Sequence, residues 1–97
     1  MEAMITDFDS VYRGKRIFVT GHTGFKGSWL VYWLSKLGAE VKGYALAPDP
    51  SNDLFGSIKG NELCTSVLAD IRDTDTLKKE ILQFAPDFIF HLAAQPL

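Results

Sequence analysis

The chain has 97 residues, enough for a single small domain. Hydrophobic residues make up 46% and charged residues 23%, with a net charge of -2; this excludes a disordered chain and leaves no basic footprint for nucleic acid or an anionic membrane surface. Cys64 is the single cysteine, which rules out an internal disulfide; with no apolar run near the ~20 residues of a bilayer span and no secretory pattern at the N-terminus, the expected location is the cytoplasm.

Residues 1–14 read as an N-terminal arm, with Phe8, Val11 and Tyr12 available to pack on the domain and Gly14 as punctuation. Residues 15–97 read as one α/β unit. Its first strand is Arg16 to Thr20, where Ile17, Phe18 and Val19 form the continuous apolar run of a strand covered on both faces. A helix is expected from near Gly24 to Gly38, with Phe25, Trp29, Trp33 and Leu37 as its packing stripe and Leu30 and Leu34 widening it. Gly38 stands where a left-handed cap is wanted.

The second strand is expected over Glu40 to Leu46, followed by a loop from Ala47 to Asp53. Asp53 caps a short helical piece through Leu54, Phe55 and Ile58 that ends at Gly60. The third strand is placed at Glu62 to Leu68. Asp73 caps the next helix, whose apolar spacing is Leu77, Ile81 and Phe84 and whose end is set by Pro86. The fourth strand is Phe88 to Leu92. Strands alternating with helices predict a Rossmann-like parallel sheet with right-handed crossovers, incomplete at about four strands in the order β-α-β-α-β-α-β.

The chemistry concentrates where the first strand meets the first helix. Gly21, Gly24 and Gly27 are evenly spaced between a buried strand and an amphipathic helix. Gly21 permits the sharp turn, Gly24 lets main chain approach a pyrophosphate, and Gly27 lets the helix pack closely on the sheet. The helix start supplies unpaired N–H groups and a partial positive charge. A P-loop is disfavoured: the order Lys26-Gly27-Ser28 puts lysine before the glycine, which spoils its reach to the β- and γ-phosphates. Tyr44, Ala45 and Leu46 stand where a ribose-gripping carboxylate is expected, and Asp49 comes late, so the choice between NAD and NADP is open.

The run from Thr20 to Leu30, with Lys42 to Leu46, Asp70 to Asp73 and His91 to Leu97, resembles the extended short-chain dehydrogenase/reductase family. His22 and Lys26, where generic members carry Ala and Ile, and Gln95 make it similar to the sugar-nucleotide 4,6-dehydratases that act on CDP-glucose. The resemblance implies that Gly21, Gly24, Phe25 and Lys26 line the pyrophosphate of a bound NAD, with His22, Thr23 and Gly27 in the same turn. It implies that Asp70 meets the adenine through its carboxylate and Ile71 through its backbone. Leu92, Ala93 and Ala94 pass under the ribose rings. It further implies transient hydride transfer from the sugar to NAD, loss of water across C5 and C6, and return of the hydride, in dideoxysugar and O-antigen biosynthesis. Another extended family member, an epimerase or reductase, and a non-catalytic nucleotide-binding or interaction module are the alternatives.

No catalytic residue is expected within this chain. The family's Tyr-x-x-x-Lys pair lies beyond the fourth strand, so the chain alone is expected to be inactive. Tyr32 and Lys36 fit that pattern by letters but belong to the surface of the first helix. His91, at the end of a strand, reads as hydrogen-bonded structure, whereas His22 is expected to meet phosphate or solvent. Cys64 reads as a small buried hydrophobe, and two histidines with one cysteine give no zinc spacing. An open sheet edge makes self-association the expected behaviour.

Overall fold

A computed structural model describes residues 11–48 and 53–92. The chain runs β1 (Arg16–Thr20), α1 (Phe25–Lys36), β2 (Glu40–Ala45), α2 (Leu54–Ser57), α3 (Gly60–Leu63), β3 (Thr65–Leu68), α4 (Thr74–Phe84) and β4 (Phe88–His91). The four strands form one sheet in the order β3-β2-β1-β4, and each pairing is parallel. β1 is central, so Ile17, Phe18 and Val19 are fully buried, as their unbroken apolar run implies.

Alternation along β1 divides the core between the two sheet faces. Ile17 and Val19 pack with Val31, Leu34 and Val41 beneath α1. Phe18 points the other way, to Tyr44 and Phe84 beneath α4. Tyr12, ahead of β1, lies edge-on to Trp33 and Phe88, with ring centroids 6.0 and 5.6 Å away. Phe8, expected to pack beside it, lies outside the described residues.

The packing stripe of α1 differs from the sequence expectation. Phe25, Trp29 and Trp33 are exposed, and the buried residues are Gly27, Ser28, Val31 and Leu34. The reason is distance. A Cβ on Gly27 would stand 2.0 Å from the Gly21 carbonyl oxygen, so the face that approaches β1 accepts only small residues at its start. The aromatic rings are turned outward. Leu37 caps the helix, and Gly38 adopts the expected left-handed backbone (φ 88°).

The third strand is shorter than its sequence suggests. Glu62 N–H donates to the Lys59 carbonyl and Cys64 N–H to that of Gly60. These donors are committed to the α3 turn, and sheet pairing starts at Thr65. Gly60 admits the Phe55 ring, whose Cε1 would lie 2.1 Å from a Cβ at that position. Cys64 packs half-buried against the α1-side core, and burial raises its thiol to about 11. Asp53 accepts from Gly56 N–H and Asp73 from Thr76 N–H, as their cap positions require. β3 and β4 stand at the two sheet margins, with Leu68, Phe88, Ile89 and Leu92 exposed.

Candidate functional site

The glycine turn sits at the carboxyl end of β1, where ligands of open parallel sheets bind. Gly21 has φ 80°, a left-handed conformation in which glycine pays no steric penalty. Its N–H donates to the Tyr44 carbonyl and its own carbonyl accepts from Gly24 N–H, which closes the bend. Gly24 is the N-cap of α1 and its carbonyl accepts the first helical bond, from Ser28 N–H at 2.8 Å. The amides of Phe25, Lys26 and Gly27 therefore precede any intrahelical acceptor. No side chain caps this helix and no acid stands in its first turn.

The N-cap Gly24 lines a cavity of about 290 Å³ together with Gly21, Thr23, Ala45, Leu46, Ile71 and Leu92. A Cβ on Gly24 would meet protein only at ordinary van der Waals distance, 3.5 Å from the Gly21 carbonyl oxygen. The bare edge of Gly24 thus faces open space. One end of the cavity is polar main chain at the start of a positive helix dipole; the other is apolar, between Leu46, Ile71 and Leu92. That combination suits a diphosphate joined to a flat heterocycle.

Thr23 fixes the rim by donating its hydroxyl to the Leu46 carbonyl at 2.8 Å. Leu92 is tied to β1 by its N–H, which donates to both the carbonyl and the hydroxyl oxygen of Thr20. The same hydroxyl is hydrogen-bonded to His91 Nδ1 at 2.6 Å, so His91 is engaged in structure. Phe25 and Lys26 are exposed on the first turn of α1, outside the cavity lining. Ala93 and Ala94 lie outside the described residues.

Asp70 stands beside Ile71 with its carboxylate held by Arg72. Arg72 donates from its backbone N–H, from Nε and, at 2.6 Å, from Nη2. These bonds hold the carboxyl at about 2, against an ordinary value near 3.8. Its carbonyl accepts the Tyr44 hydroxyl at 3.1 Å. Burial raises the Tyr44 phenol pKa, and the Asp73, Asp70 and Glu80 charges add to the rise.

His22 corrects the sequence expectation. Its side chain is fully buried, away from solvent. Nε2 lies 2.6 Å from Ser66 Oγ, and the ring stands edge-on to Phe55 at 5.0 Å. The ring occupies the space a side chain at Gly43 would need, since a Cβ there would lie 2.2 Å from His22 Cγ. Desolvation lowers its pKa to about 4, weakly opposed by the Tyr44 backbone. Ala45 and Leu46, which the sequence reading placed where a ribose-gripping carboxylate is expected, line the cavity; Ser66, which holds the His22 ring, it did not single out. The first two were legible as the end of the second strand, next to the glycine turn; nothing in the local pattern marks Ser66.

Tyr32 is half-exposed on α1, with the Lys36 ammonium 5.3 Å from its ring centre, so the pair is helix surface as expected. Among the described residues no group of three His, Cys, Asp or Glu side chains is placed to hold a metal. No helix among them is long and apolar enough to cross a membrane.

A parallel sheet, a three-glycine turn and an uncapped helix start define a dinucleotide-binding α/β unit. The chain belongs to the NAD dependent epimerase/dehydratase family, whose model matches residues 17–97. It is 54% identical over 86 residues to CDP-glucose 4,6-dehydratase of Salmonella typhimurium, across 89% of this chain and 24% of that protein. It is 36% identical to cinnamoyl-CoA reductase 1 of Arabidopsis thaliana, across 84% of this chain and 24% of the relative. Among solved structures, epimerase Mth375 of Methanothermobacter thermautotrophicus superposes with a TM-score of 0.75 at 37% identity, over 95% of this chain and 26% of that one. The chain thus spans about a quarter of the length of the proteins it matches.

Proposed function

We propose that this chain is the NAD-binding portion of a cytoplasmic CDP-glucose 4,6-dehydratase serving dideoxysugar and O-antigen biosynthesis. The observation that carries the cofactor is the uncapped start of α1 beside a glycine-walled cavity. The amides of Phe25, Lys26 and Gly27 and the bare edge of Gly24 receive the pyrophosphate. Ala45, Leu46 and Ile71 would enclose the adenosine, and Leu92 would run beneath the ribose rings. Asp70 sets the turn that carries Ile71 and would meet the adenine through its carboxylate. Support for the dehydratase over other family members is the 54% identity, set against 36% for a reductase.

When bound, NAD supplies reversible hydride acceptance; the residues of this chain hold it in place and shield it from water. The sugar nucleotide and the acid–base groups would be held by the part of the fold beyond the quarter of the relatives that this chain matches. Titration with NAD and ADP tests the reading. Saturable binding that is lost in Gly24→Val supports it, and absence of binding to the unaltered chain overturns it.

A further inference from the structure

We propose that Ser66 is a positioning residue for the dinucleotide site, acting through the buried His22 ring on the main chain of the glycine turn; this rests on the nucleotide-binding reading above. Ser66 lies on β3, at the margin of the sheet, and does not line the cavity. Its hydroxyl nevertheless reaches the turn, 2.6 Å from His22 Nε2.

His22 is clamped on its other sides. Its ring rests on the Gly43 α-carbon and meets the edge of Phe55. Its carbonyl accepts the Ser28 hydroxyl at 3.0 Å. Its Cα is the close neighbour that a Cβ on Gly27 would strike at 2.8 Å. Residue 22 joins Gly21 to Thr23, both of which line the cavity. Movement of the ring is therefore movement of the cavity wall.

Ser66 governs that movement because, among the described residues, its hydroxyl is the side-chain group hydrogen-bonded to the ring. His22 Nδ1 is buried without a hydrogen bond among the described residues. Burial keeps the ring neutral, so one nitrogen donates, the other accepts, and a serine hydroxyl can answer either. Removing the hydroxyl leaves Nε2 buried and unpaired, a cost that a shift of the ring relieves. That shift pulls Gly21 and Thr23 out of register with a bound diphosphate.

The test is calorimetric titration of ADP into the full chain, with thermal midpoints and His22 imidazole nitrogen spectra taken alongside, all well below the melting range. Ser66→Ala is expected to weaken ADP binding about three- to tenfold, the scale of one neutral hydrogen bond, and to shift the His22 nitrogen resonances. Ser66→Thr, which restores the hydroxyl, is expected to bind within about twofold of the unaltered chain. Should Ser66→Ala fail to fold, Ser66→Cys, a poor donor of similar shape, is expected to show the same loss. Unaltered affinity in the folded Ala or Cys variant overturns the proposal, even with a lowered melting midpoint. Failure of the unaltered chain to bind ADP overturns the cofactor reading itself, and the proposal with it.

Discussion

Gly27→Ala places one methyl group where β1, α1 and the glycine turn meet. The new Cβ would stand 2.0 Å from the Gly21 carbonyl oxygen, 2.8 Å from the Gly21 carbonyl carbon and 2.8 Å from His22 Cα. All three neighbours are main chain, so no side chain can swing aside. Restoring normal contact requires a backbone shift of about 1 Å, and overpacking of this kind costs about 3 kcal/mol. The better helix propensity of Ala returns about 1 kcal/mol, leaving a net loss of about 2 kcal/mol. For a domain of this size that lowers the thermal midpoint by roughly 8–16 °C. Gly24→Ala is the contrast. Its Cβ meets the Gly21 carbonyl oxygen at 3.5 Å, an ordinary contact, and its stability cost is the roughly 0.5 kcal/mol of a poorer N-cap. It nevertheless projects a methyl into the proposed pyrophosphate seat. Thermal melts read by circular dichroism and ADP titration of both variants separate the two roles. Gly27→Ala should lose stability first, and Gly24→Ala should lose binding first. A Gly27→Ala chain that melts with the unaltered chain would refute the packing argument.

His22 makes stability depend on pH. Its pKa falls from 6.5 to about 4 on folding, so the unfolded chain takes up the proton first. The contribution is complete above pH 6.5, declines as pH falls and is gone below about 4, a loss of roughly 3 kcal/mol; urea unfolding across that window should show the slope, and His22→Gln should flatten it. Leu34→Ala, at a fully buried position, should cost about 3 kcal/mol. Trp29→Ala, at a position 50% exposed, should cost under about 1 kcal/mol; equal losses would restore the aromatic stripe as the packing face. Exposed Phe88 and Ile89 on β4, with Leu92 just after it, should make the isolated chain associate with rising concentration. Sedimentation of a monomer at every concentration, with a cooperative melt, would contradict that.

The order of the strands was legible because strong punctuation sets off three of them: Gly21 after β1, Gly38 before β2 and Pro86 before β4; the second short helix, Gly60–Leu63, was not. The strand-to-helix turn was legible because its glycines have a physical task that few other residues perform. Which side of α1 faces the sheet was not. Hydrophobicity favours Trp29 and Trp33, but the close approach at Gly27 is a tertiary distance that periodicity does not carry. The same holds for His22. Its position between two glycines suggests an exposed loop, whereas the missing side chain at Gly43, across the sheet, creates the space that buries it. Ser66 is invisible for the same reason: its partner is 44 residues away in sequence.

The central claim is that main-chain amides at the start of α1 hold a dinucleotide. Amide nitrogen–proton spectra recorded while NAD and then ADP are added test it residue by residue. The expected result is saturable shifts confined to Gly21, Thr23, Gly24, Phe25, Lys26, Gly27, Ala45, Leu46, Ile71 and Leu92, all removed by Gly24→Val. Shifts that scatter over the surface without saturating, or that persist in Gly24→Val, would contradict it.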